Sequence, residues 1–159
     1  MEVRVPSIPL VLEERLNNLQ LPPVLQDFGA STAVIDTAAT VWGPVPGTVD
    51  LSFGELDRPL EVVAHYGGVS VGATGGYSMV GVDVTGALDV DPDKLPDGTV
   101  RFAFTPFSTS TDNVHVSGSK PFVLPVGTTN FRLSFRRNTA VARNLNYSHL
   151  IVVPVRWLE

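Results

Sequence analysis

No cysteine occurs in this sequence. That excludes disulfide scaffolds, thiolate zinc sites, iron–sulfur clusters and cysteine nucleophiles, and it leaves the redox compartment open. Charge is also scarce. Asp, Glu, Lys and Arg make up 17% of residues, against about 25% in an ordinary domain. So low a charged fraction implies that part of the surface is covered by something else. No apolar run approaches the length of a membrane-crossing helix. The opening MEVRVPSIPLVLEERL lacks the order of a secretion signal, which runs from basic to apolar to small residues. No repeat of fixed period and no low-complexity linker is found.

The 159 residues, 43% of them hydrophobic, suffice for one domain with a full core. Fourteen Gly and thirteen Pro are too many breakers for a helical bundle and suit short strands joined by turns. The net charge of −5 is unevenly placed. Residues 1–99 hold four basic side chains against fourteen acidic ones, whereas residues 100–159 hold seven basic against two acidic. Such halves either pair within one domain or form complementary faces between subunits. Nucleic acid is not an expected partner, because the basic residues are scattered apart from Arg136–Arg137 and the balance is acidic.

Residues 1–30 differ from the rest. Pro6, Pro9, Pro22 and Pro23 bracket LVLEERLNNLQL, in which Leu12, Leu16 and Leu19 share one helical stripe. Glu13 and Glu14 sit where a helix dipole favours acids, and Pro22–Pro23 stop the helix. A helix this short is not stable alone. It either anchors the chain to a larger assembly or packs across one end of its own domain, 31–159.

Beyond residue 30 the pattern predicts strands at Ala33–Trp42, Gly47–Phe53, Leu60–Tyr66, Val69–Ala73, Tyr77–Thr85, Thr99–Thr105, Pro121–Leu124, Thr128–Arg137 and Tyr147–Trp157. Phe131, Leu133 and Phe135 alternate with Arg132, Ser134 and Arg136, as in an antiparallel strand with one wet face. In the last strand both parities are apolar: Leu150 and Val152 on one face, Ile151, Val153 and Val155 on the other. Such a strand is central in a sandwich or covered by another subunit, and Pro154 favours an edge or bulge there. Turn signals fall at Gly43–Gly47, Tyr66-Gly67-Gly68, Gly75-Gly76, Pro96-Asp97-Gly98, Ser117-Gly118-Ser119 and Pro125-Val126-Gly127. About eight strands without βαβ alternation predict an all-β antiparallel sandwich, jelly-roll-like, with a short N-terminal arm or helix.

Motifs with chemistry are few. Asp89, Asp91 and Asp93 stand at positions 1, 3 and 5 of a calcium loop, but Lys94 and Val100 replace the glycine and glutamate that an EF-hand needs. A loose calcium site is the only metal candidate, and a solvated acidic turn is the plainer reading. His65, His115 and His149 are the only histidines, and none has a second at ligand spacing. Ser78 lies in G-x-S-x-x-G, one residue too long for a nucleophile elbow. The glycines at 67–76 form no phosphate loop, and Glu55, Asp57 and Glu61 read as a solvated face. No catalytic residue, cofactor site or enzymatic activity is expected. Trp42, Tyr66 and Tyr77 are candidates for stacking on a sugar.

The stretch Val123-Leu124-Pro125-Val126-Gly127-Thr128-Thr129-Asn130-Phe131-Arg132-Leu133, followed by Asn146 to Trp157 with its Leu150-Ile151-Val152-Val153-Pro154 core, resembles the closing strands of small virion proteins of tailed bacteriophages. Minor tail, fibre-tip and head-decoration proteins of this kind are similar to trimeric jelly rolls of the tumour-necrosis-factor and C1q type. The resemblance covers about the last forty residues. It departs in having no stalk before the domain. It implies a non-enzymatic structural protein of the virion, a capsid-decoration or tail-associated homotrimer attached through residues 1–30 to major capsid or tail proteins. Leu12, Leu16, Leu19, Ile151, Val153, Val155 and Trp157 are then the expected contact residues. A receptor- or glycan-binding module of a tail tip is the alternative. No membrane partner is expected.

Overall fold

The computed structural model describes residues 20–29, 33–35, 41–72, 78–93, 114–137 and 143–159. Among these residues nine strands are formed: β1 (Leu25–Phe28), β2 (Ala33–Ile35), β3 (Gly43–Pro44), β4 (Leu51–Leu56), β5 (Leu60–Gly72), β6 (Ser78–Gly86), β7 (Val114–Leu124), β8 (Gly127–Arg137) and β9 (Arg143–Trp157). They make an all-β, antiparallel sandwich. Sheet A runs β1-β9-β5-β7, with β2 beside β1 on the same edge of β9. Sheet B has β8 at its centre, β6 on one side, and β3 and β4 on the other.

From β4 onward each successive strand lies in the opposite sheet. None of these described strands pairs with its neighbour in sequence, and the described β4–β5 and β7–β8 connections are corners between layers. This sheet-to-sheet crossing is how jelly rolls are built. The β7–β8 corner shows why its residues are needed. Gly127 has φ 116°, a conformation that glycine adopts without strain. Within sheet B, the Ala87 amide donates to the Thr128 carbonyl at 2.8 Å, continuing the β6–β8 pairing one step past Gly86.

The core follows from strand parity. Leu60, Val62, Ala64 and Tyr66 of β5 point inward, as do Val80, Val82 and Val84 of β6 and Phe131, Leu133 and Phe135 of β8. Phe131 is the pivot between layers. Its ring meets Phe122 of sheet A edge-on at 5.6 Å and Phe53 at 6.1 Å, the arrangement that aromatic quadrupoles favour.

Several boundaries differ from the sequence expectation, each for a physical reason. The predicted strands Leu60–Tyr66 and Val69–Ala73 are one strand, β5, and Gly67-Gly68 lies inside it rather than at a turn. A Cβ at Gly67 would fall 2.3 Å from the Val116 carbonyl oxygen, so a side chain there cannot fit. Ser117-Gly118-Ser119 is likewise strand, and β7 begins at Val114 rather than Pro121. Gly118 pairs with Tyr66, and a Cβ there would fall 2.6 Å from the Tyr66 ring. Glycine is present in both strands because something crosses over it. The expected Ala33–Trp42 strand appears as β2 at Ala33–Ile35, and Trp42 lies outside it, just before β3. Leu25–Phe28, expected in the arm, is strand β1 on β9. The Thr99–Thr105 strand and the helix carrying Leu12, Leu16 and Leu19 lie outside the described residues. Among the described residues no helix is long and apolar enough to cross a membrane.

Replacing Phe131 by Ala should destabilise the domain by about 3–5 kcal/mol, because one ring joins both layers. Urea unfolding checks this. A loss below about 1 kcal/mol would show that the two layers do not depend on that ring.

Candidate functional site

Strand β9 carries two bulges, and they decide what the protein presents to solvent. The first lies where the pairing with β5 shifts between Gly67 and Val69, and Tyr147 there has φ 50°. The second lies opposite Glu61–Val62, beside Pro154. Each bulge moves the alternation by one residue. Leu145 is therefore buried at odd parity, Ser148, Leu150, Val152 and Pro154 at even parity, and Trp157 turns back toward the core. The bulge expected from Pro154 is present.

Between the bulges, Ile151 and Val153 face outward. Val153 pairs with Val63, which pairs with Pro121, and these three form an apolar row across the outer face of sheet A. Val123 and Val155 extend it and are 52% and 46% exposed. Beyond them lies the Glu61–Arg156 ion pair, with Arg156 Nε donating to Glu61 Oε2 at 2.5 Å. The outer face of sheet B is quite different. There Asp83 pairs with Arg132 in register, and Arg132 also donates two hydrogen bonds to Asp50, at 2.7 and 2.5 Å. That guanidinium holds the Asp50 carboxyl below its ordinary range. The outer face of sheet B is thus charged at these positions, whereas part of the outer face of sheet A is a row of valine, isoleucine and proline.

The same face of sheet A carries a polar hollow next to the apolar row. It is an open depression of about 380 Å³ lined by His65, Tyr66, Ser117, Gly118, Ser119 and His149. His65 pairs with Ser119 and Ile151, while Gly67 pairs with Ser117 and His149. The His149 ring lies over Gly67, with Cε1 2.9 Å from where a Cβ would stand. Phe28 of β1 pairs with His149 and is 65% exposed.

A second hollow, of about 570 Å³, lies at the end of the sandwich and includes Leu21, Arg58, Val155 and Trp157. Arg58 stacks on Trp157 at 4.3 Å from the ring centre, and Trp157 Nε1–H donates to the Gln20 carbonyl at 3.1 Å. Trp157, expected at a subunit contact, is thus held within its own chain.

Of the aromatic candidates, Tyr66 and Trp42 lie within the described residues. Tyr66 is buried in the core, and burial raises its hydroxyl pKa. Its parity with Leu60, Val62 and Ala64 was the signal for this. Trp42 is half-buried, and its ring edge and Pro92 both lie against Gly81. Tyr77 lies outside the described residues. Of the acidic turn, residues 89–93 are described. Asp89 Oδ1 accepts from the Gly86 amide at 3.1 Å, Val90 bridges Val84 and is buried, and Pro92 is buried. Among the described residues no three His, Asp or Glu side chains are grouped to hold a metal. Ser78 opens β6 in sheet B, whereas His65, His115 and His149 belong to the outer face of sheet A. The strand pairing thus does not bring Ser78 together with any of the three histidines.

Lys120 was missed in the sequence. It is 1% exposed, points inward between Gly118 and Phe122, and brings Nζ to 3.5 Å from the Asp91 carbonyl. It links edge strand β7 of sheet A to the turn beside β6. Burial lowers its pKa to about 8, opposed by Asp93, Asp91 and Asp83. Searches against family models and curated proteins find no match for this chain.

Lys120 gives a pH prediction. Its folded pKa, about 8, lies below the ordinary 10.5, so between these values the unfolded chain holds more protons. Stability should therefore rise with pH in that window, by about 1–2 kcal/mol from pH 8 to 9.5. Above pH 10 the raised Tyr66 pKa works the other way. Urea unfolding of wild type and Lys120→Met checks this: the variant should lose the rise, and an unchanged slope would refute the assignment.

Proposed function

We propose that this chain is a non-enzymatic structural protein of a bacteriophage virion, a capsid-decoration or tail-associated component that assembles as a homotrimer. The observation that carries the reading is the contrast between the two outer faces. Antiparallel sheets normally leave one face polar for solvent, and sheet B does so with Asp83, Arg132 and Asp50. Sheet A instead presents Ile151, Val153, Val63, Pro121 and Val123, with the charged Glu61–Arg156 pair at one margin. A contiguous apolar patch with a polar rim marks a contact surface.

A second copy of the chain is the occupant this face suits. The patch has no unpaired charge for an ionic partner to read, and flat rows of β-branched side chains are complementary to one another. The likeness of the closing strands to trimeric jelly rolls supports three copies. In this reading residues 1–19 bind the capsid or tail protein that holds the trimer. The role asks no chemistry of the side chains. It asks for a rigid sandwich and an outward apolar strand, and β9 supplies both.

Light scattering on the wild-type chain should give about 51 kDa, three copies of 17.0 kDa. Val153→Asp should give a folded monomer, because that side chain points away from the core. A wild-type monomer, or a Val153→Asp variant that still assembles, would overturn the proposal.

A further inference from the structure

We propose that His65 and His149 chelate a divalent transition-metal ion, of the zinc, nickel or copper class, in the hollow over Gly67. The inference stands apart from the assembly reading. It starts from the pairing of β5 with β9. His65 faces Ile151 and His149 faces Gly67, so the two histidines are diagonal neighbours on adjacent strands. Diagonal neighbours stand about 7–8 Å apart at their backbones, and two imidazoles leaning together from that separation can reach one ion at about 2.0–2.1 Å each.

Gly67 makes the convergence possible. It pairs with His149, two residues along β5 from His65, and a Cβ there would stand 2.9 Å from His149 Cε1. With glycine, the His149 ring folds over β5. Both rings then line one open hollow with Ser117 and Ser119. Neutral imidazole nitrogens are good donors to zinc, nickel and copper. Two nitrogens leave coordination positions to water, which serine hydroxyls at the rim can hydrogen-bond. His115 completes the logic as an internal control. It lies on the same face, but pairs with Val69, four residues along β5 from His65, and is not part of the hollow.

Isothermal titration of the full chain with zinc chloride tests this. One ion should bind per chain, and His65→Ala and His149→Gln should each weaken binding at least about tenfold, while His115→Ala leaves it unchanged. Circular dichroism on each variant shows whether the sandwich is intact. His65 is exposed, so its replacement leaves the core untouched and keeps the test decisive even if the His149 variant unfolds. No binding, a loss in His115→Ala equal to that in His65→Ala, or unchanged affinity in His65→Ala would each overturn the site.

Discussion

Strand β9 has to satisfy neighbours on both edges and packing on both faces. On one edge it pairs with β5, and on the other with β1 and β2. Its inward residues, Leu150 and Val152, belong to the core. Its outward residues, Ile151 and Val153, are as apolar as the inward ones. A strand of this kind cannot be left on a solvated edge, and its central place in sheet A follows from that. The apolar outer face then follows from the central place, because the neighbours in register, Val63 and Pro121, continue the same row.

The two bulges tune this arrangement. Without the shift at Tyr147, the alternation that buries Leu150 would turn Leu145 to solvent. Without the shift at Pro154, Trp157 would face outward and could not meet Arg58 and Gln20. Bulges aim side chains as well as ending pairing. The Tyr147 bulge lies next to the stretch that places His149 over Gly67, so the packing irregularity and the polar hollow share a cause. The buried Lys120 is the corresponding feature on the far edge. Its Nζ reaches the Asp91 carbonyl, which holds the turn after β6 against sheet A at the cost of desolvating a cation.

Much of the fold was legible in the sequence, and the parts that were not share a physical origin. Strict alternation at Phe131–Phe135 located β8, and the two-faced pattern at Leu150–Val155 located the central strand. Glycine misled. Gly67, Gly68 and Gly118 were read as turns because glycine permits them, yet here they admit the Val116 carbonyl, the Leu145 side chain and the Tyr66 ring. Which of glycine's two uses applies depends on what lies across the sheet, and a single chain does not display that. The hollow was invisible for the same reason, since His65 and His149 meet only through β5–β9 pairing. Val123 and Pro121 could have been found, because PFVLP after Lys120 is apolar at both parities, as the middle of β9 is.

The central claim is that the outer face of sheet A is covered by another copy of the chain. The sequence has no cysteine, so a single introduced thiol reports one position cleanly. Val123 lies on that face, and Val126 lies on the exposed β7–β8 corner. The deciding measurement is the maleimide reaction rate of Val123→Cys against Val126→Cys in the assembled protein. The account predicts that the thiol at 123 is strongly protected and the thiol at 126 reacts freely. Equal rates would contradict it.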